Sequence, residues 1–389
     1  MQELPDPREL LARTFGAGGE VALVAAPGRV NLIGEHIDYH GLAVLPMAIA
    51  RRVRVAFRRR DDTTIRAASA GYGRREFAWT ADPAAAAPGD WENYLRAAAR
   101  VVSMLRGPES LRGVDAAVVS DVPPAAGLSS SSALLVAFML ALLRANGLHA
   151  TFEELMDVLP EGEQFVGTRG GGMDHAASLA SRAGCASLIG FAPLSVRPIP
   201  VPEDWGFLAA HSLETAEKSG GAREEYNRRR QAGAAALARL GFASYRAAVA
   251  GQPEECAQSL APGPERDSFL HVTSEALRVE QAVDAMLRRD AAAFGRLLLE
   301  SHASLRDRLK VSSPALDRLV EAAMESGATG ARLTGAGFGG CAVVFCPKPD
   351  LAAVRRGLIE RFYRARPAFD EDRHLIEAEP GPGACRGLP

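Results

Sequence analysis

The chain has 389 residues, 47% of them hydrophobic, and a formal net charge of −2. This length and composition predict a globular protein with enough buried core for two domains. The near-zero net charge gives no global attraction to nucleic acid or anionic lipid, so a charged ligand would need a local site.

No feature of the sequence points to a membrane or to the secretory route. The longest apolar run, residues 133–143, is too short to span a bilayer, and the first residues are charged and contain proline. We therefore expect a cytoplasmic protein with no nucleic-acid partner and no membrane partner.

The cysteines are scattered, odd in number and without a CxxC pair. This pattern argues against a disulfide framework or a zinc site and predicts buried free thiols. The five are Cys185, Cys256, Cys341, Cys346 and Cys385.

In the first half, apolar runs alternate with turn signals and predict strands around Val21, Val53 and Ala116. After two prolines the period changes, and residues 129–147 predict a long helix that is apolar on nearly all sides and ends at an Asn-Gly pair. A helix of this kind belongs in the core.

A second pattern begins near Leu188, with strand-like runs followed by three helical blocks. The glycine-led, charged stretch at residues 219–230 predicts a loop that enters a helix. A further helix should start at Ser313, with proline in its first turn, and end at Gly327. It leads into "ARLTGAGFGGCAVVFCP", which predicts a strand, a glycine loop and a second strand.

The stretch "PPAAGLSSSSA" places a glycine and four serines between a predicted strand and a predicted helix. Free backbone N–H groups and the helix dipole at such a place predict an anion site. The alternative is a helix that is merely capped by serine. A Walker A motif is absent.

Two glycine-rich stretches add to this. "LTGAGFGG" formally contains GxGxxG, but a strand follows it where a dinucleotide fingerprint needs a helix, so it is either a ligand-contacting loop or a plain hairpin turn. "GTRGGGMD" ends at Asp174, which either projects toward a ligand held against the glycines or caps the helix that follows.

The stretch "APGRVNLIGEHIDYHG" places one arginine, two carboxylates and two histidines at the end of an apolar strand. Carboxylates such as Glu35 and Asp38 each offer two acceptor oxygens, which suits the adjacent hydroxyls of a sugar. The alternative is a turn with solvated charges and a core histidine.

Taken together, these segments resemble the GHMP kinases, and the first resembles the galactokinase signature within them. The matching stretches are "GRVNLIGEHIDYHG", "VPPAAGLSSSSA", "GGGMD" and "LTGAGFGGCAVV", with "WENY" from Trp91 and "SHASLRDRLKVSSPALDRLVEAA" from Ser301. The resemblance implies a two-domain α/β (α+β) fold of mixed sheets and helices with the active site in the interdomain cleft.

The change of pattern near Leu188 divides the chain into domains. We expect an N-terminal domain over residues 1–187 with the sugar signature and the serine loop, a C-terminal domain over 188–365, and a C-terminal tail over 366–389, whose Pro- and Gly-rich end at residues 379–389 should be loose. As partners we expect a small-molecule sugar, and the chain should be a monomer or a weak homodimer.

Carried over residue by residue, the family's roles give a sugar site and a nucleotide site. Asp174 and Arg29 would face the reacting hydroxyl. The sugar would be bound by Glu35, His36, Asp38, Gly171 and Tyr226. ATP would be held by Trp91 and by the serine loop, Gly127, Leu128, Ser129, Ser130, Ser131 and Ser132.

The family also implies Mg²⁺, held by one serine of the loop and one helical glutamate. Counting from Gly127 gives Ser131, with Ser132 as the alternative; the glutamate is Glu163, with Glu161 as the alternative. His40 and His175 stand where the family has other residues, and we expect local hydrogen bonding from them.

The implied reaction is transfer of the ATP γ-phosphoryl group to the anomeric hydroxyl of D-galactose, with Asp174 as proton acceptor and Arg29, Mg²⁺ and the loop as charge stabilisers. The variants "HID" and "GGMD" also resemble N-acetylgalactosamine kinases, so that 1-kinase is the alternative. A non-catalytic sugar sensor is the third reading, but such relatives have an interrupted serine loop, and "GLSSSSA" is complete.

Overall fold

The computed structural model describes residues 4–107, 111–167, 170–215 and 221–384, so Cys385, Ser219 and Gly220 lie outside the described residues. The strands are β1 (Ala22–Ile33), β2 (Leu45–Arg59), β3 (Thr64–Ser69), β4 (Gly73–Ala78), β5 (Val114–Ser120), β6 (Cys185–Phe191), β7 (Leu194–Pro200), β8 (Trp205–His211), β9 (Gly330–Leu333), β10 (Cys341–Pro347) and β11 (Leu375–Glu377). The helices are α1 (Pro7–Phe15), α2 (Glu92–Arg106), α3 (Ser130–Ala145), α4 (Phe152–Phe165), α5 (Met173–Ala180), α6 (Gly221–Arg239), α7 (Tyr245–Val249), α8 (Pro253–Ala257), α9 (Pro264–Leu287), α10 (Ala291–Ser304), α11 (Pro314–Glu325), α12 (Leu351–Leu358) and α13 (Glu371–His374).

The first sheet has the strand order β1-β2-β5-β3-β4 and carries the sugar-signature segment on β1. Its strands pair antiparallel except for β3 and β5, which run parallel. Helix α3 packs on β1 and β2, and α1 packs on β2 and β5. The all-round apolar helix is thus confirmed as a core helix, and Gly147 (φ 64°) follows its end.

The second sheet has the order β11-β8-β10-β9, antiparallel throughout. Alternate residues of its strands face two layers, with α10 on one side and α11 and α12 on the other. The predicted strand, glycine loop and strand are confirmed as β9, residues 334–340 and β10. Helix α11 begins as predicted, because the Ser313 hydroxyl accepts a hydrogen bond from Leu316 N at 3.3 Å.

A two-stranded hairpin, β6 and β7, follows the strands of the first sheet in sequence and precedes those of the second. The predicted domain limit at residues 187 and 188 lies within β6, and the backbone of Ile189 in that strand pairs with Val44 at the start of β2. The hairpin therefore extends the first half of the molecule past the predicted limit.

The expectation of a loose end is wrong for residues 379–384. Strand β11 pairs with β8, Gly381 N donates to Ala48 O at 2.7 Å, and Gly383 N donates to Ser181 O at 2.8 Å. Proline and glycine made this segment look irregular, yet its backbone groups find partners on both sheets, which is what buried polar backbone requires.

The described cysteines are free, and Cys341 and Cys346 are buried as predicted, while Cys185 and Cys256 are half-buried. Among the helices of the described residues, none is long and apolar enough to cross a membrane. Within the same residues, no group of three or more His, Cys, Asp and Glu side chains is placed to hold a metal ion.

A buried ion-pair cluster fixes the first sheet, and it gives the first prediction. The side chain of Asp115 on β5 is 4% exposed and accepts hydrogen bonds from Arg58, Arg60 and Arg66 at 2.6–3.0 Å. Asp115→Asn should lower the free energy of unfolding by about 3 kcal/mol, because it leaves three arginines without their shared charge. Urea unfolding measures this; the exposed Glu76→Gln is the control, and an equal loss in both variants would contradict the prediction.

The sign of the pH dependence follows from the same cluster. Burial raises the pKa of Asp115, but the bonds from Arg66, Arg58 and Arg60 outweigh it, so the folded-state pKa is depressed. The stabilisation is therefore complete above the unfolded-state pKa and is lost as the pH falls through the folded-state pKa.

Candidate active site

The centre of the site is an ion pair between residues that are 145 positions apart in the chain. Arg29 on β1 contacts Oδ1 of Asp174 on α5 with Nε at 2.7 Å and Nη2 at 2.6 Å. Its third nitrogen, Nη1, donates to Gly127 O at 2.7 Å. A register shift between Pro27 and Arg29 accompanies this placement on β1.

Arg29 is 4% exposed and remains cationic. Burial lowers its pKa, but the carboxylates of Asp174, Glu35 and Asp38 outweigh that effect and the net pKa is raised. One guanidinium therefore joins the serine loop to the carboxylate at the start of α5.

The serine loop takes the form that an anion site needs. Ser129 has φ 56° and directly precedes α3, and its hydroxyl donates to Oδ2 of Asp174. Gly127 (φ 76°) packs backbone to backbone against the other glycine loop, because a Cβ there would lie 3.1 Å from Thr334 O. The serine loop and "LTGAGFGG" are thus in direct contact, and their roles in binding a ligand stay predictions.

The serine that meets the helical glutamate is Ser132. Its hydroxyl donates to Glu163 Oε1 at 3.0 Å and lies 3.5 Å from Oδ2 of Asp174, whereas Ser130 and Ser131 are part-exposed in the first turn of α3. Ser129 and Ser132 share one helix face because they are three residues apart. Whether Ser131 or Ser132 binds Mg²⁺ stays a prediction.

Of the two glutamates, Glu163 points to the site. It is 9% exposed, whereas Glu161 on the same helix is exposed. The backbone at Gly170 passes so close to it that a Cβ there would lie 2.7 Å from Glu163 Oε2.

The two unassigned histidines differ from the expected local hydrogen bonding to different degrees. His175 is fully buried, its Nε2 lies 3.8 Å from Glu163 Oε1, and neither ring nitrogen has a hydrogen-bond partner in the described part of the chain. The ring of His40 packs against those of Tyr39 and Tyr245, at centroid distances of 4.7 and 4.6 Å, and its Nε2 has no hydrogen-bond partner among the described residues.

Glu35 and its neighbours connect the end of β1 to the second sheet. Gly335 N donates to Glu35 Oε1 at 2.6 Å, and His271 Nε2 donates to Glu35 O at 3.0 Å. Burial raises the pKa of Glu35, and Arg332 and Arg29 act against it.

His36 is a neutral ring with a defined tautomer. Burial lowers its pKa to about 3. Its Nε2 lies 3.1 Å from Ala336 O, which can only accept, so Nε2 carries the proton. Nδ1 then accepts from the Tyr39 hydroxyl at 2.8 Å. These two hydrogen bonds hold the ring in one orientation.

Asp38 of the sugar signature contacts the backbone at Gly171. Gly171 N donates to Asp38 Oδ2 at 3.1 Å. Burial and the charge of Asp174 raise the pKa of Asp38 to about 7, although hydrogen bonds from Tyr39 and Gly171 lower it. The carboxyl group can therefore accept or donate to a hydroxyl near neutral pH.

An aromatic cluster joins α6 to the sugar signature. The ring of Tyr226 lies 5.2 Å from that of His36 and 5.5 Å from that of Tyr39, centroid to centroid. Burial and the neighbouring Asp38 raise the pKa of the Tyr226 hydroxyl, so it is a neutral hydrogen-bonding group. Tyr226 is thus brought to the sugar signature as predicted.

Trp91 is less closely tied to these groups. It precedes α2, is 8% exposed and packs in the main core, and its indole Nε1 has no hydrogen-bond partner in the segments that the structure describes. Helix α2 packs on α3 and α4, which carry Ser132 and Glu163. The ATP-binding role of Trp91 stays a prediction.

Sequence reasoning missed Tyr39 and Arg332. Tyr39 lies inside the signature and donates to His36. Arg332 is fully buried on β9 and donates to the carbonyls of Asn31 and Leu32 at 3.0 and 2.9 Å. The available signal was a single charge in the short buried strand "GARL", where an unpaired cation is too costly to occur by chance.

Gly171 gives a prediction for sugar binding. Gly171→Ala should raise the KM for the sugar by at least about tenfold, because its Cβ would lie 2.5 Å from the backbone of Asp38 and Tyr39, and a 1 Å misplacement is costly in such sites. Steady-state kinetics with varied sugar measures this. Gly251→Ala, where the nearest atom is at 3.6 Å, is the control, and an unchanged KM in the Gly171 variant would contradict the expectation.

Family models match the chain over three stretches. The galactokinase galactose-binding signature matches residues 9–59, the GHMP kinases N terminal domain matches residues 93–182, and the GHMP kinases C terminal matches residues 282–364. Fold and site together define a GHMP kinase, with the sugar signature on β1 and the serine loop at the start of α3.

Similarity over nearly the full length narrows this class. A galactokinase of Roseiflexus sp. (strain RS-1) is 37% identical over 94% of this chain and 93% of the relative, and one of Streptomyces coelicolor is 35% identical over 97% of each. The crystal structure of Lactococcus lactis galactokinase complexed with galactose has a TM-score of 0.87 at 27% identity, over 96% of this chain and 97% of that one. The chain belongs to the galactokinase family, whose members use ATP as the phosphoryl donor.

Proposed function

We propose that the chain transfers the γ-phosphoryl group of ATP to the anomeric 1-hydroxyl of D-galactose, giving galactose 1-phosphate and ADP. The observation that carries this is the position of Asp174. Arg29 holds one of its carboxylate oxygens and the serine-loop hydroxyls approach the other, with Glu35 and Asp38 nearby.

In this proposal Asp174 accepts the proton of the anomeric hydroxyl as that oxygen attacks the γ-phosphorus in line and ADP leaves. Arg29 stabilises the charge that develops on the transferred group, and the N–H groups at the start of α3 meet the other phosphate oxygens. Glu35, His36, Asp38, Gly171 and Tyr226 bind the sugar hydroxyls and orient the ring.

The donor set near α3 fits a magnesium ion. The Ser131 hydroxyl, or that of Ser132 in the same turn, and the Glu163 carboxylate are hard oxygen ligands, and Mg²⁺ is commonly held by one or two carboxylates together with substrate phosphates. The ion would supply charge neutralisation for the phosphates. The chain's contribution is to hold these two oxygens together on adjacent helices.

Glu163 gives the prediction for the metal. Glu163→Gln should raise the Mg²⁺ concentration for half-maximal rate by at least about tenfold, because it removes one carboxylate ligand. Isothermal titration of Mg²⁺ into the ADP complex gives a second readout. Glu161→Gln is the matched change on the same helix. A larger effect in that variant would show that Glu161, and not Glu163, binds the metal.

The substrate is tested by measuring ADP release with Mg·ATP and D-galactose, N-acetylgalactosamine or glucose. We expect turnover with galactose well above that with the other two sugars. Equal or faster turnover with N-acetylgalactosamine would show that the proposed sugar is wrong while the phosphoryl transfer is right. ATP binding without ADP formation from any sugar would overturn the proposed reaction.

A further inference from the structure

Arg332 is a buried cation that reaches from the second sheet to the sugar signature. Its Nη1 donates to the carbonyls of Asn31 and Leu32 at the end of β1. Its Nη2 lies 3.4 Å from Oε1 of Glu35, and the side chain is fully buried. The guanidinium therefore bridges the backbone of β1 and the first carboxylate of the signature.

The contact with Glu35 is a charge pairing more than a directed hydrogen bond. Nε and Nη2 of Arg332 have no hydrogen-bond partner within the described ranges, and the 3.4 Å separation is longer than a charge-assisted bond. A buried guanidinium needs a nearby anion, and Glu35 is the carboxylate with which it forms an ion pair. Glu275 adds a second, more distant negative charge.

Glu35 depends on this neighbour in turn. The carboxyl group is 2% exposed, and burial is the largest influence on its pKa, in the raising direction. Arg332 opposes that influence more strongly than Arg29 or the N–H of Gly335 does. An ionised carboxyl group offers sugar hydroxyls more acceptor sites than a protonated one, so a neighbouring cation improves Glu35 as an acceptor.

Hydrogen bonds of the two residues that follow Arg332 fix its backbone in place. Thr334, two residues further on, accepts from Asn31 N at 2.9 Å and donates to Asn31 O at 3.1 Å. Leu333 N is bonded to His302 Nδ1 at 3.3 Å. A network of hydrogen bonds thus joins β9 to the end of β1, and Arg332 and Glu35 lie within this network.

We propose that Arg332 is a positioning residue for sugar recognition, which acts through Glu35 and so makes the second sheet part of the sugar site. The proposal rests on the proposed role of Glu35 as a sugar ligand. Arg332 itself touches no substrate. Its effect is to place a positive charge beside Glu35 Oε1, which favours the ionised carboxylate and holds it toward β9 before the sugar arrives.

The test compares Arg332→Met, Arg332→Lys, Glu35→Gln and the double variant Glu35→Gln with Arg332→Met. We expect Arg332→Met to raise the KM for galactose at least tenfold, with the KM for ATP within twofold. Arg332→Lys keeps the charge and should recover at least a third of the lost sugar affinity. The double variant should resemble Glu35→Gln alone within a factor of two, because Arg332 acts through that carboxylate.

A control separates this from general destabilisation. Arg58→Met removes an ion-paired, largely buried arginine from Asp115 on the far side of the first sheet, and it should lower the unfolding midpoint while leaving both KM values within twofold. Should Arg332→Met not fold, Arg332→Lys with and without Glu35→Gln gives the same cycle.

The outcomes distinguish the inference from the proposal beneath it. An unchanged galactose KM in Glu35→Gln would overturn the role of Glu35 and this inference with it. A raised KM in Glu35→Gln together with an unchanged KM in Arg332→Met would overturn only the inference. Parallel increases in the KM for galactose and for ATP, or additive effects in the double variant, would make Arg332 a general structural residue and would also overturn it.

Discussion

Asp174→Asn should lower kcat by about a thousandfold, because it removes the group proposed to take the sugar proton and general bases contribute about 10²–10⁴. The amide keeps the size of the carboxylate and can still accept from Arg29 through its oxygen, so the chain should fold. Coupled measurement of ADP release gives kcat, and a galactose-induced shift in the unfolding temperature shows that sugar still binds.

The control for this variant is Asp115→Asn, which should show the opposite pattern of lower stability with kcat within twofold. Both changes remove one negative charge from arginine partners in the first half of the chain. A residual rate in Asp174→Asn above about a tenth of the parent rate would remove Asp174 from the role of proton acceptor.

Arg29→Lys should lower kcat by about a hundredfold, although the positive charge is kept. The guanidinium uses Nε and Nη2 on Asp174 and Nη1 on Gly127 O, and a lysine ammonium cannot span both partners. Loss of one positioned donor in a transition-state site costs about 10²–10³ in rate. Steady-state kinetics with both substrates saturating measures the effect.

Arg66→Lys is the matched control, because Arg66 also binds a carboxylate with two nitrogens, at 2.6 and 2.8 Å on Asp115. It should change stability and leave kcat within twofold. If Arg29→Lys kept more than half of the parent kcat, the proposed stabilisation of the transferred group by Arg29 would be refuted.

Much of the site was predictable because its residues lie in compact motifs. The spacing of "GRVNLIGEH" placed Arg29 and Glu35 at one end of a strand, and the period change after the prolines placed the serines at the start of a buried helix. That Arg29 would meet Asp174 came from the resemblance, since nothing in the local pattern links residues 145 positions apart.

Sequence reasoning stopped where one residue of helix phase or one tertiary contact decides the geometry. Counting from Gly127 does not distinguish Ser131 from Ser132, and only the start of α3 at Ser130 shows that Ser132 contacts Glu163. Strands β3 and β4 were not predicted: "GRREFA" is mainly polar, and its pairing with β3 fixes it as a strand. The contacts of Arg332 could not be predicted, because they depend on the packing of β9 against the end of β1.

The segment 375–383 has a consequence for the order in which the chain is made. It supplies β11, the outer neighbour of β8, and then returns to bond with Ala48 on β2 and with Ser181. These residues leave the ribosome after every strand that they complete. Until they emerge, the outer edge of β8 is unpaired and can form strand pairs with another chain. This edge is therefore the last in the second sheet to be protected from aggregation during synthesis.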